Sequence, residues 1–360
     1  MYKRLHAPKL LKRASAILLY WSGAFGLFHR LRNRHTLTVV VFHRVLRRED
    51  PRVRTAFAEW TIEDEAFDAC LAFFRRHFNL VSLDDVMAAT RGERLLPHRS
   101  LLLTFDDGFA DNLDYALPLL RKHNAPTVVF ISSDLIGRAE RLWTEDLLWA
   151  ARAGQLHKDD LKALYRLIIG HAPSAECEMA SIVREIVRAG PSYALSAVEA
   201  ALGVRFDLDR VTEPPQMLNH RDIIELARDG VAIGAHGKTH TALNYVRDVA
   251  EELEIPRATI RALLGSSARP GVNALAFPHG VYTPEMIHHA LASGYQLVFT
   301  MDGGLATLVG GQLRGASVLG RINVDGQHIA ENGRLRPERL AVTLFMQRHT
   351  AQGSSAAQHL

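Results

Sequence analysis

Short apolar runs and longer amphipathic stretches take turns along most of this chain. Leu37–Phe42, Leu101–Phe105, Thr127–Ile131, Val231–Ala235, Ala274–Phe277, Gln296–Thr300 and Val318–Ile322 are brief, rich in aliphatic and aromatic residues, and bounded by polar ones. Such runs predict buried strands, with Val318–Ile322 the last of them. Between them apolar positions recur at helical spacing. Phe57–Phe78 contains a helix with Phe67, Cys70, Leu71, Phe74 and Phe78 on one face. Helices are also expected over Asp111–His123, Arg221–Arg228 and Pro284–Ser293, and over Ala250–Leu264 with a break or kink at Pro256. Strands alternating with helices imply βα units around a parallel sheet, an α/β fold.

Two segments depart from this rhythm. Residues 137–215 carry helical patterns, Leu142–Ala153, Leu161–Gly170 and Glu176–Arg188, and no clear strand. They read as a helical insertion that walls the functional face. Residues 1–35 are basic, with an apolar run from Ala16 to Phe28 too short to span a bilayer and no small-residue cleavage site; Arg30, Arg32 and Arg34 follow it. This reads either as an amphipathic helix on an anionic membrane surface or as a helix packed on the fold. The expected compartment is the cytoplasm or the periphery of a membrane. From residue 350 the chain is small and polar, and a disordered tail is expected.

Composition narrows the picture modestly. Hydrophobic content of 48% and charge of 23% are those of a globular protein. The net charge of +4 is concentrated at the N-terminus, and no basic stripe follows residue 54, so no nucleic-acid partner is expected. Cys70 and Cys177 lie in helical patterns and read as buried thiols rather than a disulfide or metal pair.

The candidate chemistry sits at two strand ends. Leu101–Phe105 stops at Asp106-Asp107-Gly108. Ligands of α/β proteins are met where strands end, and adjacent carboxylates repel unless a cation or proton lies between them. Alternatively, the two Asp cap the following helix. Far downstream, Val231–Ala235 stops at His236-Gly237-Lys238-Thr239-His240, whose two His share one face of a helical turn. Two His and a carboxylate with an open fourth position have the composition of a catalytic zinc site; alternatively, these are two solvated histidines among the chain's 18.

Thr104-Phe105-Asp106-Asp107-Gly108 and His236-Gly237-Lys238-Thr239-His240 resemble the first two motifs of NodB-type polysaccharide deacetylases, carbohydrate esterase family 4. Ala274-Leu275-Ala276-Phe277-Pro278-His279-Gly280 resembles the third in its Phe-x-Tyr-Pro-Tyr-Gly-like variant, and Leu37–Phe42 followed by His43-Arg44 resembles the opening of one branch. The likeness covers about residues 36–325. It implies a distorted (β/α) barrel of about seven parallel strands over 36–325, interrupted by the insertion at 137–215. Outside the likeness, the residue pattern predicts a separate helix over 1–35 and a C-terminal helix and tail over 326–360. The likeness further implies a divalent ion, zinc first with cobalt or nickel as alternatives, on Asp107, His236 and His240, with Asp106 as general base. The backbone N–H of His279 is the implied oxyanion donor.

Three departures stand out. The commoner third motif has an Arg where this chain has Ala276, and Arg321 is the expected replacement. The late Leu-x-His that carries the family's general acid has no counterpart after residue 280, so the acid is sought at His43 and then at His279. The family's Asp-x-x-x-Trp motif is absent as well. Trp143 and Trp149 are either sugar-stacking or core residues. The function implied is N-deacetylation of an acetylated glycan; the alternatives are an O-acetyl esterase and an inactive glycan-binding barrel.

Overall fold

The computed structural model describes residues 9–54, 56–138, 147, 156–174, 177, 182–183, 185–186, 216–265 and 270–350. In chain order its main elements are α1 (Lys9–Trp21), α2 (Ala24–Arg32), β1 (Thr36–Phe42), β2 (Arg44–Leu46), β3 (Thr61–Glu63), α3 (Asp64–His77), β4 (Asn79–Leu80), α4 (Leu83–Thr90), β5 (Ser100–Phe105), α5 (Leu117–His123) and β6 (Thr127–Ile131). There follow α6 (Lys158–Ile169), α7 (His220–Arg228), β7 (Ala232–Ala235), α8 (Val249–Leu264), β8 (Ala274–Ala276), α9 (Pro284–Ala292), β9 (Leu297–Thr300), β10 (Leu305–Thr307), β11 (Val318–Gly320) and β12 (Ile322–Asn323). The chain ends in α10 (Gly326–Ile329), β13 (Ala330–Glu331), β14 (Arg334–Leu335), α11 (Pro337–Phe345) and β15 (His349–Thr350).

The main sheet runs β11-β9-β8-β7-β6-β5-β1, and each neighbouring pair in this run is parallel. β12 then pairs in parallel with the upper half of β1, Val40 opposite Ile322 and Val41 opposite Asn323. Because β11 and β12 are one segment divided at Arg321, the pairing returns to where it began, and seven parallel strands form a distorted barrel. Two details differ from the sequence pattern. The run 318–322 is two short strands rather than one, and it is not the last. β10, only three residues long, pairs antiparallel with the lower half of β1, so the sheet is mixed.

Strand alternation sorts the core into two layers. Leu37, Val39, Leu102, Val128, Phe130, Ala274, Ala276, Phe299 and Leu319 form one cluster with Val86, Met87 and Ala89 of α4. Val40, Phe42, Leu101, Leu103, Phe105, Val129, Ile131 and Val298 form the other, against α3, α5, α7 and α8. The first cluster fills the barrel; the second glues the helices to its outside. Continuing the inward parity past the strand ends reaches His43, Asp106, His236 and Arg321.

α8 runs unbroken through Pro256, where a break or kink was expected. Its ring is buried in the same helical layer, and that packing offsets the lost backbone hydrogen bond, a cost of about 3 kcal/mol. Of the insertion, α6 is described. Leu161, Leu164 and Tyr165 on it pack with Leu147, Leu156, Ile182, Val183 and Ile186 into a satellite core, against which Trp60 rests. Trp143 and Trp149, like most of Leu142–Ala153 and Glu176–Arg188 and the tail from 351, lie outside the described residues. Cys70 is buried, Cys177 is half-buried, and both are free.

Candidate metal centre and the carboxylate beside it

β5 delivers two Asp residues with opposite fates. The Asp106 N–H is still held by the sheet, donating to the Phe42 carbonyl at 3.0 Å. The chain then turns sharply: Asp107 and Gly108 both adopt left-handed backbone, φ 72° and 79°. A side chain at Gly108 would meet Ile131 Cγ2 at 2.7 Å, so only glycine fits. The turn sends the Asp106 carboxylate one way and that of Asp107 the other. Neither caps the following helix.

β7 supplies the histidines. The His236 N–H donates to the Ile131 carbonyl at 2.8 Å, and His236 Nδ1–H donates to the Ala276 carbonyl at 2.8 Å. With Nδ1 protonated, Nε2 presents its lone pair to the site, the arrangement that metal-binding imidazoles use. His240 reaches the same point differently from the expected helical turn. Gly237 and His240 both have left-handed backbone, φ 74° and 64°, so a tight loop rather than a helix brings the two rings to 5.1 Å. Asp107, His240 and His279 are three of only six non-glycine residues with positive φ among those described. Such strain persists where the surroundings enforce it, typically at functional sites.

Asp107 Oδ1 lies 3.3 Å from His236 Nε2 and 2.9 Å from His240 Nε2. One donor atom from each of the three residues falls within 4.8 Å of the others, a fit for one small cation. Burial opposes charge on Asp107, but His240 and His236 outweigh it and hold its carboxyl well below the usual range. Burial likewise disfavours charge on His236, and the Asp106 and Asp107 carboxylates outweigh it, raising its pKa.

Asp106 faces Arg321. The guanidinium Nη1 and Nη2 donate to Asp106 Oδ1 and Oδ2, each at 2.6 Å, a two-pronged ion pair buried on both sides. Arg321 also lies over the Phe130 ring at 5.6 Å. Burial raises the Asp106 pKa, and the Arg321 charge more than reverses this, so the carboxylate is ionised at neutral pH. Arg321 sits at the junction of β11 and β12, the place where the barrel closes.

His43 follows β1 on the inward parity. Its ring stacks on Trp60, centroids 5.6 Å apart, and Trp60 stacks on Phe57 at 4.4 Å. The ring is partly open to solvent, while its Nδ1 is enclosed with no hydrogen-bond partner among the described residues. Burial, the largest effect, outweighs the attraction of Asp107 and Asp106 and lowers its pKa. His279 packs on the His240 ring at 4.5 Å and donates from Nε2 to the His240 carbonyl at 3.0 Å. Burial and the nearby His240 lower its pKa strongly.

A family model described as polysaccharide deacetylase matches residues 94–195. Over that segment the chain is similar to polysaccharide deacetylases, which indicates a hydrolase. The matched span holds Asp106 and Asp107 and stops short of His236 and His240, which the fold brings to them. Solved structures share the fold at low identity. The Streptococcus pyogenes deacetylase PplD, in complex with acetate, is 16% identical, with 86% of this chain and 99% of that one covered and a TM-score of 0.52. A de-N-acetylase from Aggregatibacter actinomycetemcomitans is 15% identical, with 81% and 96% covered and a TM-score of 0.51. A polysaccharide deacetylase from Bacillus cereus is 13% identical, with 86% and 69% covered and a TM-score of 0.52. No curated protein matches the sequence.

The deacetylase fold also supports its site through residues that the sequence did not single out. Asp111 accepts from Arg44 Nε at 2.9 Å and from the Val45 N–H at 3.0 Å, while Asn112 donates to the His43 carbonyl at 2.9 Å. Together they clamp the turn that carries His43. Burial outweighs Arg44 and raises the Asp111 pKa. Glu252 on α8 is buried, and its Oε2 accepts from the Lys238 and Thr239 N–H groups at 2.8 and 3.0 Å. It holds the loop between the two histidines. Nothing in the sequence distinguishes these side chains from ordinary polar residues on a helix surface.

Proposed function

We propose that this deacetylase removes N-acetyl groups from an acetylated polysaccharide or oligosaccharide in a reaction that depends on a divalent metal, most simply zinc. The observation that carries this reading is the division of labour between adjacent carboxylates: Asp107 with His236 and His240, Asp106 with Arg321. A site built only to bind glycan has no use for a second ionised carboxylate held beside a cation site. A metal held by Asp107, His236 and His240 would polarise the acetyl carbonyl and ease deprotonation of water.

The chain's own residues do the rest. Asp106, kept ionised and fixed in direction by Arg321, takes a proton from the attacking water. The backbone N–H of His279 is the proposed donor to the oxyanion; Pro278, which precedes it, has no N–H to offer. The departing amine needs one proton, the same number that the water gives up. His43, neutral at rest, relays it from Asp106 to the amine nitrogen. The same machinery would cleave an acetyl ester, whose alcohol leaves more readily, so product analysis decides between N- and O-deacetylation. The test is acetate release from N-acetylated and O-acetylated glycans, with and without a chelator. Release from N-acetylated glycan that chelator stops supports the reading; release that chelator leaves untouched, or from O-acetylated glycan alone, overturns it.

A further inference from the structure

The first 35 residues hold eight Lys and Arg and no Asp or Glu, so the remaining 325 carry a net charge of −4. This positive segment is not loose. Tyr20 of α1 stacks on Phe73 at 6.2 Å, the buried His29 of α2 stacks on Phe345 at 4.0 Å, and Asn33 donates to the Phe345 carbonyl at 2.9 Å. One side of each helix is thus fixed to the barrel.

The other side is apolar and uncovered. Leu18 is 71% exposed, Trp21 72%, Leu27 59% and Leu31 72%, with Ile17 and Leu19 beside them. These six are among only fourteen large apolar side chains exposed in the described residues, yet they fall within fifteen positions. Single exposed leucines are unremarkable, whereas a cluster of this size marks a contact surface. Helical spacing puts Leu27 and Leu31 on one stripe with Arg30 alongside, and Arg34 follows two residues past the end of α2. Arg13, Arg30 and Arg34 are exposed, and no carboxylate pairs with them among the described residues. Apolar side chains with a Trp, flanked by unneutralised Arg, match a surface that is anionic outside and apolar just beneath.

The geometry points to α1 and α2 as a docking face for an anionic phospholipid bilayer, lying in its surface. No described helix is long and apolar enough to cross one. A nucleic acid would use the Arg but leave six apolar side chains without partners, and a second copy would oppose like charges. The placement also suits the proposed reaction. α2 leads into the N-terminal end of β1, whereas the metal centre opens at the C-terminal ends of the strands, about 20 Å away at ~3.3 Å per residue. A docked molecule holds its site off the bilayer, toward glycan.

The test is co-sedimentation of the full chain with phosphatidylcholine vesicles, with and without phosphatidylglycerol. Sedimentation is expected with the anionic vesicles only, and added salt should weaken it. Leu27→Glu/Leu31→Glu and, separately, Arg30→Ser/Arg34→Ser should each weaken vesicle binding ~tenfold or more, with thermal unfolding and acetate release unchanged. Should the Glu pair disturb folding, the Ser pair carries the test alone. Failure of the parent chain to sediment, or sedimentation of the Ser variant like the parent, overturns the proposal. So does a lipid-free dimer that Leu27→Glu/Leu31→Glu converts to monomer, since the patch would then be a self-contact. The sedimentation and dimer readouts that decide the proposal do not depend on the glycan.

Discussion

Arg321 and Asp106 meet fork to fork inside the barrel mouth, at 2.6 Å on both arms, across the seam where the last parallel segment joins the first strand. The pair orients a carboxylate and keeps it ionised at once. Removing one partner of such a pair leaves an uncompensated buried charge, at about 3–5 kcal/mol. Arg321→Ala should therefore lower stability by that order and leave Asp106 protonated to higher pH. Arg321→Lys keeps the charge but loses the fork. In that milder variant metal content should persist while acetate release falls and its acidic limb moves to higher pH. An unmoved acidic limb would detach Arg321 from the catalytic carboxylate.

The two carboxylates separate by substitution. Asp106→Asn should retain metal and lose rate by roughly 10²–10⁴, the usual worth of general base catalysis. Asp107→Ala, His236→Ala and His240→Ala should each lose metal as well as activity, as read by elemental analysis. Full metal in the His236→Ala/His240→Ala double variant would refute the ligand set.

Much of this arrangement is legible in the residue pattern. Strand alternation fixes which residues look inward, so His43, Asp106, His236 and Arg321 follow from counting on from Val39, Leu102, Ala232 and Leu319. The chain's tight turns are less legible. The spacing of His236 and His240 suggests a helical turn, but Gly237 and His240 adopt left-handed backbone, and a loop does the same job. β10 is too short for period-2 alternation to show, and only its pairing with β1 makes it a strand. The state of His43 was least accessible, because its pKa depends on enclosure by residues distant in sequence.

Glu252 is placed to act through others. Its carboxylate ties down two N–H groups between the metal-site histidines, and supporting contacts of this kind are typically worth 10–100-fold in metal affinity. Glu252→Ala should weaken metal binding by about that factor, and Glu252→Gln, which keeps one acceptor oxygen, by less. The comparison is a competition titration with a chelating dye. Equal affinities for parent and Glu252→Ala would mean the loop holds itself.

His29 gives the N-terminal helices a pH dependence of definite sign. Its Nδ1 accepts from Asn33 Nδ2 at 3.1 Å and its Nε2 donates to the His77 carbonyl at 3.3 Å, so a second ring proton would set two donors against each other. Burial lowers its pKa to about 3. The folded state therefore resists the proton that the unfolded chain binds near pH 6.5. The contribution is intact above that pH and is lost as pH falls from there toward 3, at up to ~1.4 kcal/mol per pH unit. Unfolding between pH 7 and 4 should show α1 and α2 releasing first, by hydrogen exchange, and His29→Gln should flatten the dependence. Equal protection of these helices at both pH values would remove His29 as the cause.

The last prediction concerns the proton that the amine needs. The family's late His has no counterpart here, and His279 is committed: its Nε2 donates to the His240 carbonyl and its ring packs on a metal-site histidine. His43 is placed differently. Asn112 holds its carbonyl, Trp60 fixes its ring plane, and its Nδ1 has no partner among the described residues. Burial keeps the ring neutral at rest, which suits a relay that takes up the proton released by the water and gives it to nitrogen. Such a role matters only where the leaving group needs protonation. His43→Ala should lose about 10²–10⁴ in rate on an N-acetylated glycan. On an activated aryl acetate, whose phenolate leaves unassisted, it should lose much less. Trp60→Ala should reproduce part of the loss on amide, because the ring would no longer be held. Equal losses for His43→Ala on both substrates would instead assign it to positioning, and no loss on either would remove it from the reaction.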